Sequence, residues 1–302
     1  MIYDGQGEQL DYPFSGSGAE LSVAYDKDGN TIYNGDTPAV DYDNYTLDSS
    51  FSLSVTNCQG IAVHNSVLFQ FRANGSSVSN LVSLFNLADK SAIKSNMTID
   101  SGHGDSATFS DEYQAAGDEF PLLYVTADTT PAIIYVDKVT RNEATLVRTL
   151  KFPATAGYWG AGAFDFENDI CYILAYKIEN YTSASGGNAT VISKWNLASL
   201  TDNGDGTYTP AFVDQYEADF IYTMQGLAYH DGMIWVSSGG NGTAQRIYAL
   251  DPADGSVLHT IILSDTTEIE GIQFIWDEAG HAYYLLVAQQ GGKYKKYIFG
   301  TL

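Results

Sequence analysis

Hydrophobic positions along this chain fall in short runs, such as Val67-Leu68-Phe69-Gln70-Phe71 and Met233-Ile234-Trp235-Val236, separated by clusters of Gly, Asn, Asp, Ser and Pro. Short apolar runs bounded by turn formers are the pattern of β-strands joined by tight turns. Within these runs a five-residue pattern recurs. It reads Gln59-Gly60-Ile61-Ala62-Val63, then in degraded form Gly104-Asp105-Ser106-Ala107-Thr108 and Gly160-Ala161-Gly162-Ala163-Phe164, then Gln225-Gly226-Leu227-Ala228-Tyr229 and Glu270-Gly271-Ile272-Gln273-Phe274. The copies begin about 45–65 residues apart, the length of one four-stranded propeller blade with variable loops.

The first unit, from Gln59 to about Asp100, is expected to hold strands at Gly60–His64, Val67–Arg72, Val82–Asn86 and Met97–Ile99. The second, from His103 to about Phe152, holds Leu122–Thr126, Ala132–Lys138 and Ala144–Phe152, with an excursion at Asp111–Glu119 after its inner strand. The third, from Trp159 to about Tyr216, includes a hairpin turning at Asp202–Gly206. The fourth is the most regular: Gln225–His230, Met233–Ser238, Arg246–Asp251 and Val257–Leu263 are joined by His-Asp-Gly, Gly-Gly-Asn-Gly and Asp-Pro-Ala-Asp-Gly-Ser. All of these are turn sequences.

The fifth unit offers only Gly271–Trp276, His281–Ala288 and Tyr294–Phe299. Tyr45-Thr46-Leu47 and Phe51–Val55, which precede the first unit, are expected to supply its missing outer strand and so remove an exposed sheet edge. The expected fold is all-β, a five-bladed β-propeller closed by an N-terminal strand, with six blades if residues 1–47 or the long third repeat hide another. Residues 1–47 read as an acidic lead or docking segment with a single Lys and no Arg, and 48–302 as the propeller. The clearest part of the lead, Leu21–Tyr33, reads as two strands around an Asp-Gly-Asn turn.

Composition narrows the partners. With 14 Lys and Arg against 37 Asp and Glu, the formal charge is −23, which disfavours a phosphate backbone and makes nucleic acid an unexpected partner. No apolar run is long enough to span a membrane, and Met1–Gln6 has neither the basic nor the apolar region of an export signal, so membrane insertion is not expected. Cys58 and Cys171 are too few for a disulfide scaffold or a Cys-based zinc site and read as small core residues.

In a propeller the residues just before each inner strand gather at one mouth of the central channel. The repeat places Gln59, His103, Asp105, Gln225 and Glu270 there, with Tyr158 and Trp159 beside them: polar orienting groups next to aromatic faces, suited to a sugar. The same side chains would also serve to satisfy backbone groups around a water-filled channel. His103 and Asp105, two apart on a strand, share a side and suit a base with its orienting carboxylate, or two metal ligands for which Asp265, Glu268 and Glu270 are further candidates. Neither follows from spacing alone, and no metal or cofactor is expected. Asp26–Asn30 and Asp202–Gly206 lack the twelfth-position Glu of a calcium loop and read as turns. His64, His230, His259 and His281 read as local hydrogen-bonding groups at strand ends.

The fourth repeat, Gln225–Ser238 followed by Ile247–Asp251 and Gly255–Leu258, resembles blades of glutamine-cyclotransferase-like and NHL-like propellers. Trp235-Val236-Ser237-Ser238 stands where a bacterial glutamine cyclotransferase carries Tyr-Glu-Ser, so the resemblance implies the fold and not that activity. His103–Phe109 with Phe120–Val125 is similar to a pattern in propellers of gut bacteria and phage-borne relatives of the teichoic-acid-biosynthesis-C type. Ala24–Asn30 is similar to segments that begin tail-fibre and prophage hydrolase proteins. Together these resemblances imply a non-enzymatic binding or assembly module of a phage tail appendage or a bacterial surface. It would be located on a virion, outside the cell or at the cell surface, and would recognise a host-surface glycan or dock on another virion protein through residues 1–47. The alternative is an enzyme acting on glycan or peptide at the channel mouth.

Overall fold

The computed structural model describes residues 39–72, 81–127, 129–153, 157–177, 190–218, 224–239, 242, 244–277 and 282–301, and within the first 38 residues the backbone of four short strands. Those four are β1 (Ile2–Tyr3), β2 (Gln9–Leu10), β3 (Val23–Tyr25) and β4 (Thr31–Asn34), in the order β2-β1-β3-β4. β3 and β4 form the antiparallel pair expected in Leu21–Tyr33, and its turn, 26–30, lies outside the described residues. A long strand, β5 (Val40–Ser52), follows.

The rest consists of four-stranded antiparallel meanders. The first contains β6 (Cys58–His64), β7 (Val67–Arg72), β8 (Leu81–Asn86) and β9 (Ala92–Thr98); the second, β10 (Ala107–Phe109), β11 (Leu123–Thr126), β12 (Ile133–Val139) and β13 (Ala144–Lys151). The third contains β14 (Tyr158–Asp165), β15 (Ile170–Tyr176), β16 (Thr190–Asp202) and β17 (Thr207–Ala218); the fourth, β18 (Met224–His230), β19 (Met233–Ser238), β20 (Arg246–Leu250) and β21 (Val257–Ile262). The last meander contains β22 (Ile269–Asp277), β23 (Ala282–Gln289) and β24 (Lys293–Thr301), and β5 pairs antiparallel with β24 as its fourth strand. No helix occurs among the described residues. The architecture is all-β and propeller-like.

Burial follows strand position. Second strands are covered on both faces, so they read as continuous apolar runs: all seven residues of β15 are buried, while β9 and β21 are largely exposed. Five buried clusters each join two meanders, first to second, second to third, third to fourth, fourth to last, and last to first. Between the last and first, a buried chain of polar groups adds direction to the packing. Tyr294 Oη donates to Gln70 Oε1 (2.7 Å), Gln70 Nε2 donates to the Val55 carbonyl (3.0 Å), and Cys58 Sγ lies 3.8 Å from the Tyr294 hydroxyl.

Two expectations need adjustment. The boundary at 47/48 falls inside β5, whose pairing with β24 begins at Val40. Tyr42, assigned by sequence to the lead, is buried in the cluster between the fourth and last meanders, within 5.0 Å of the Trp235 ring and 5.1 Å of Phe299, and donates to Asp231 (3.1 Å). The strand also ends at Ser52 rather than reaching Val55; Leu53 N then donates to the Gly292 carbonyl (2.9 Å). In the third meander β16 and β17 are long, at 13 and 12 residues, and β17 pairs in parallel with β13 at Thr207 and Tyr208, so the second and third meanders form one eight-stranded sheet.

Candidate functional site at the start of the inner strands

Four of the five inner strands break register at the same level, with pairing irregular between Cys58 and Gly60, Tyr158 and Ala161, Met224 and Leu227, and Ile269 and Gly271. The residues left out of the ladder include Gln59, Trp159, Gln225 and Glu270. A bulge bends its strand and re-aims the extra side chain away from the alternating faces. The recurring Gln-Gly and Glu-Gly are therefore the sequence form of a repeated bulge.

The glycine of each pair serves another purpose. A Cβ at Gly60 would overlap the Gly104 carbonyl oxygen, one at Gly226 would lie 2.6 Å from the Gly271 Cα, and one at Gly271 would lie 3.1 Å from the Gly60 Cα. Backbones of neighbouring inner strands thus touch at this level, which only a residue without a side chain allows. Ser106 fills the adjoining space, its buried hydroxyl lying 2.7 Å from the Gly162 carbonyl and 3.1 Å from that of Leu227. Backbone and the Ser106 hydroxyl thus pack closely between the inner strands at this level.

Above this floor the charged groups converge. His103 Nδ1 pairs with the Asp105 carboxylate, with Asp105 6% exposed and His103 42%. The carboxylate is thus a buried orienter and the imidazole is open to solvent. Glu270 is buried, and its carboxyl is pushed up to about 8 by burial first, then by the charges of Glu268 and Asp105, with His103 opposing. Burial also raises Glu268, which accepts a 2.8 Å hydrogen bond from Gln225 Nε2. At neutral pH Glu270 carries its proton and offers an O–H donor beside the acceptors Glu268 and Asp105.

Of the residues named from sequence, His103, Asp105, Gln225 and Glu270 are linked by these bonds and fields. Gln59 stands at its bulge but donates to its neighbour, the Cys58 carbonyl (2.9 Å). Tyr158 and Trp159 open β14, and their side chains lie outside the described residues. Glu268 belongs to the site as the partner of Gln225. Asp265 instead pairs with Lys295 and Gln289. Among the described residues no group of three His, Cys, Asp or Glu side chains is arranged to hold a metal ion.

The remaining candidates have local roles. His259 bonds Asp43 (3.1 Å). His230 stacks on Phe274 (4.1 Å between centroids) and is held neutral, its pKa lowered by burial to about 4. His64 packs against Phe109 and Phe120, and its buried Nε2 has no hydrogen-bond partner among the described residues; His281 lies outside the described residues. In the 202–206 turn, Asp202 and Asp205 accept from the Gly204 and Thr207 amides, as turn carboxylates do. The residues 26–30 lie outside the described part.

No family model matches this chain, and no curated protein does. Among solved structures it is similar to the WD40 domain of Toxoplasma gondii coronin, at 10% identity over 88% of this chain and 89% of that one, with a TM-score of 0.44. It is also similar to Kuenenia stuttgartiensis hydrazine synthase, at 12% identity and a TM-score of 0.37; 80% of this chain is covered and only 58% of the other. Neither likeness is close enough to carry chemistry.

Proposed function

We propose that this chain is a five-bladed β-propeller with β5 as the outer strand of its last blade, and that it binds a glycan at the mouth formed by Gln59, His103, Asp105, Gln225, Glu268 and Glu270. In support of five blades, each repeat supplies one four-stranded meander, and five buried clusters join the meanders in a cycle. The observation that carries the binding site is that Gln225, Glu268, Glu270, Asp105 and His103, from separate repeats, are linked by a hydrogen bond, an ion pair and the effect of their charges on Glu270, with Gln225 and Glu270 standing at bulges of their inner strands.

The chemistry there suits sugar hydroxyls. Glu268 and Asp105 accept, protonated Glu270 donates, and Gln225 does both. The setting, a phage appendage or bacterial surface with the N-terminal lead docking on another protein, is drawn from the sequence resemblances alone. A glycan array probed with the wild type and with Gln225→Ala and Glu270→Ala tests the site. A shared set of glycans should be lost in both variants; undiminished signals would remove the mouth from consideration.

A second reading rests on the contrast between Glu270, which keeps its proton up to about 8, and the solvent-open His103 oriented by Asp105. Groups set apart in this way suit an acid and a base acting on one bond. Mass analysis of bound glycans after incubation separates the readings. Binding without cleavage sinks the enzyme, whereas cleavage that disappears in His103→Ala establishes it.

A further inference from the structure

A second cleft, of about 850 Å³, lies between the first and last meanders at the other end of the inner strands. β6 and β22 begin at the mouth described above and end at this cleft, at His64 and Asp277. Its volume is that of a site for a small ligand. The walls come from β5, the β6–β7 and β8–β9 turns, and the C-terminal half of β22.

Two ammonium groups enter it, each held over an aromatic ring. Lys90 Nζ lies 4.3 Å from the Phe51 centroid, and Phe51 is backed by Tyr294, parallel within 3° at 4.9 Å. Lys296 Nζ lies 4.5 Å from the Tyr284 centroid. Lys296 is partly neutralised by Asp48 and Asp277, each 3.5 Å away. Lys90 differs: among the described residues no carboxylate lies within ion-pair distance, and its ammonium donates to the Leu87 carbonyl. Burial first, then the nearby charge of Lys296, disfavour its protonated form, with the charge of Asp89 opposing. Its backbone is also strained for a non-glycine residue, at φ +66°. In a chain of net charge −23, a strained turn thus presents toward a second lysine one that has no ion-pair partner among the described residues.

Trp276, Asn65 and Ser66 line the same space, giving an aromatic face and hydroxyl partners beside the cations. We propose that this cleft binds an acidic saccharide, with its carboxylate engaged by Lys90 and Lys296 and its sugar ring in the part of the cleft lined by Trp276. The anion relieves the repulsion between the two lysines, and the site is independent of the mouth at the opposite end.

Calorimetry on the full chain with trigalacturonate, neutral maltotriose and inorganic phosphate tests this. Trigalacturonate is expected to bind with an affinity that falls as salt is raised, and maltotriose and phosphate to bind far more weakly. Lys90→Met should lower trigalacturonate affinity about tenfold or more at an unchanged melting temperature. Glu270→Ala should leave it unchanged, which separates this cleft from the mouth. Absence of trigalacturonate binding, equal binding of phosphate, or an affinity unaltered in Lys90→Met would each overturn the proposal.

Discussion

At the scale of single residues, the buried carboxylates set how stability depends on pH. Asp137 is 1% exposed, has no hydrogen-bond partner for either oxygen among the described residues, and is pushed up to about 8 by burial and by the charge of Asp100. Its ordinary value is near 4, so between about pH 4 and pH 8 the folded chain holds a proton that the unfolded chain has released. Folding stability therefore falls as pH rises through that window, by up to about 1.4 kcal/mol per pH unit for one such group. Glu270 acts in the same direction. Denaturant titrations of the wild type and Asp137→Asn at several pH values should show a shallower decline in the variant; parallel curves would mean that Asp137 is ionised in the folded protein at neutral pH. Composition gave no hint of this behaviour, because Asp137 looks like any other acidic residue at the end of a strand.

At the scale of elements, the inner strands were the most legible part of the chain, since their glycines punctuate otherwise apolar runs at matching places. The sequence located those positions and the polar residues before them, but their physical cause is a bulge with backbone-to-backbone contact between repeats, and contact partners so far apart in sequence leave no local signal. Gly60→Ala tests that cause. A methyl group there meets the Gly104 carbonyl, and the loss should be about 3 kcal/mol or more, read as a shift in the denaturation midpoint. A loss of a few tenths would mean that the strands part easily at this level. The start of β5 was hidden for another reason. An outer strand is mostly exposed, so Val40 and Tyr42 stand among Asp41, Asp43 and Asn44 without the apolar run that marks an inner strand. Compared with a chain beginning at Ala39, one beginning at Leu53 lacks β5 and Tyr42 and should be clearly less stable. Loss of a buried aromatic alone costs about 3–5 kcal/mol. Equal stability of the two truncations would show that β5 is dispensable.

At the scale of the whole molecule, the acidic composition and the two ends of the inner strands give the protein chemically distinct faces. One end gathers the Asp105, Glu268 and Glu270 carboxyls and the Gln225 amide from three repeats, and the other gathers two lysines and aromatic rings from the first and last meanders. The first was partly legible because the repeat aligns its members. The second was not, because Lys90 and Lys296 meet only through packing of the first meander against the last. The central functional claim concerns the first face, and glycan-array binding at pH 6 and pH 9 with the wild type, Glu270→Gln and Glu270→Ala tests it most directly. Glu270 ionises near 8 and the amide mimics its neutral form as a donor, so the wild type should bind at pH 6 and weaken at pH 9, Glu270→Gln should bind at both, and Glu270→Ala at neither. Binding by Glu270→Ala equal to that of the wild type, or no glycan retained by the wild type at either pH, would contradict a glycan site at this mouth.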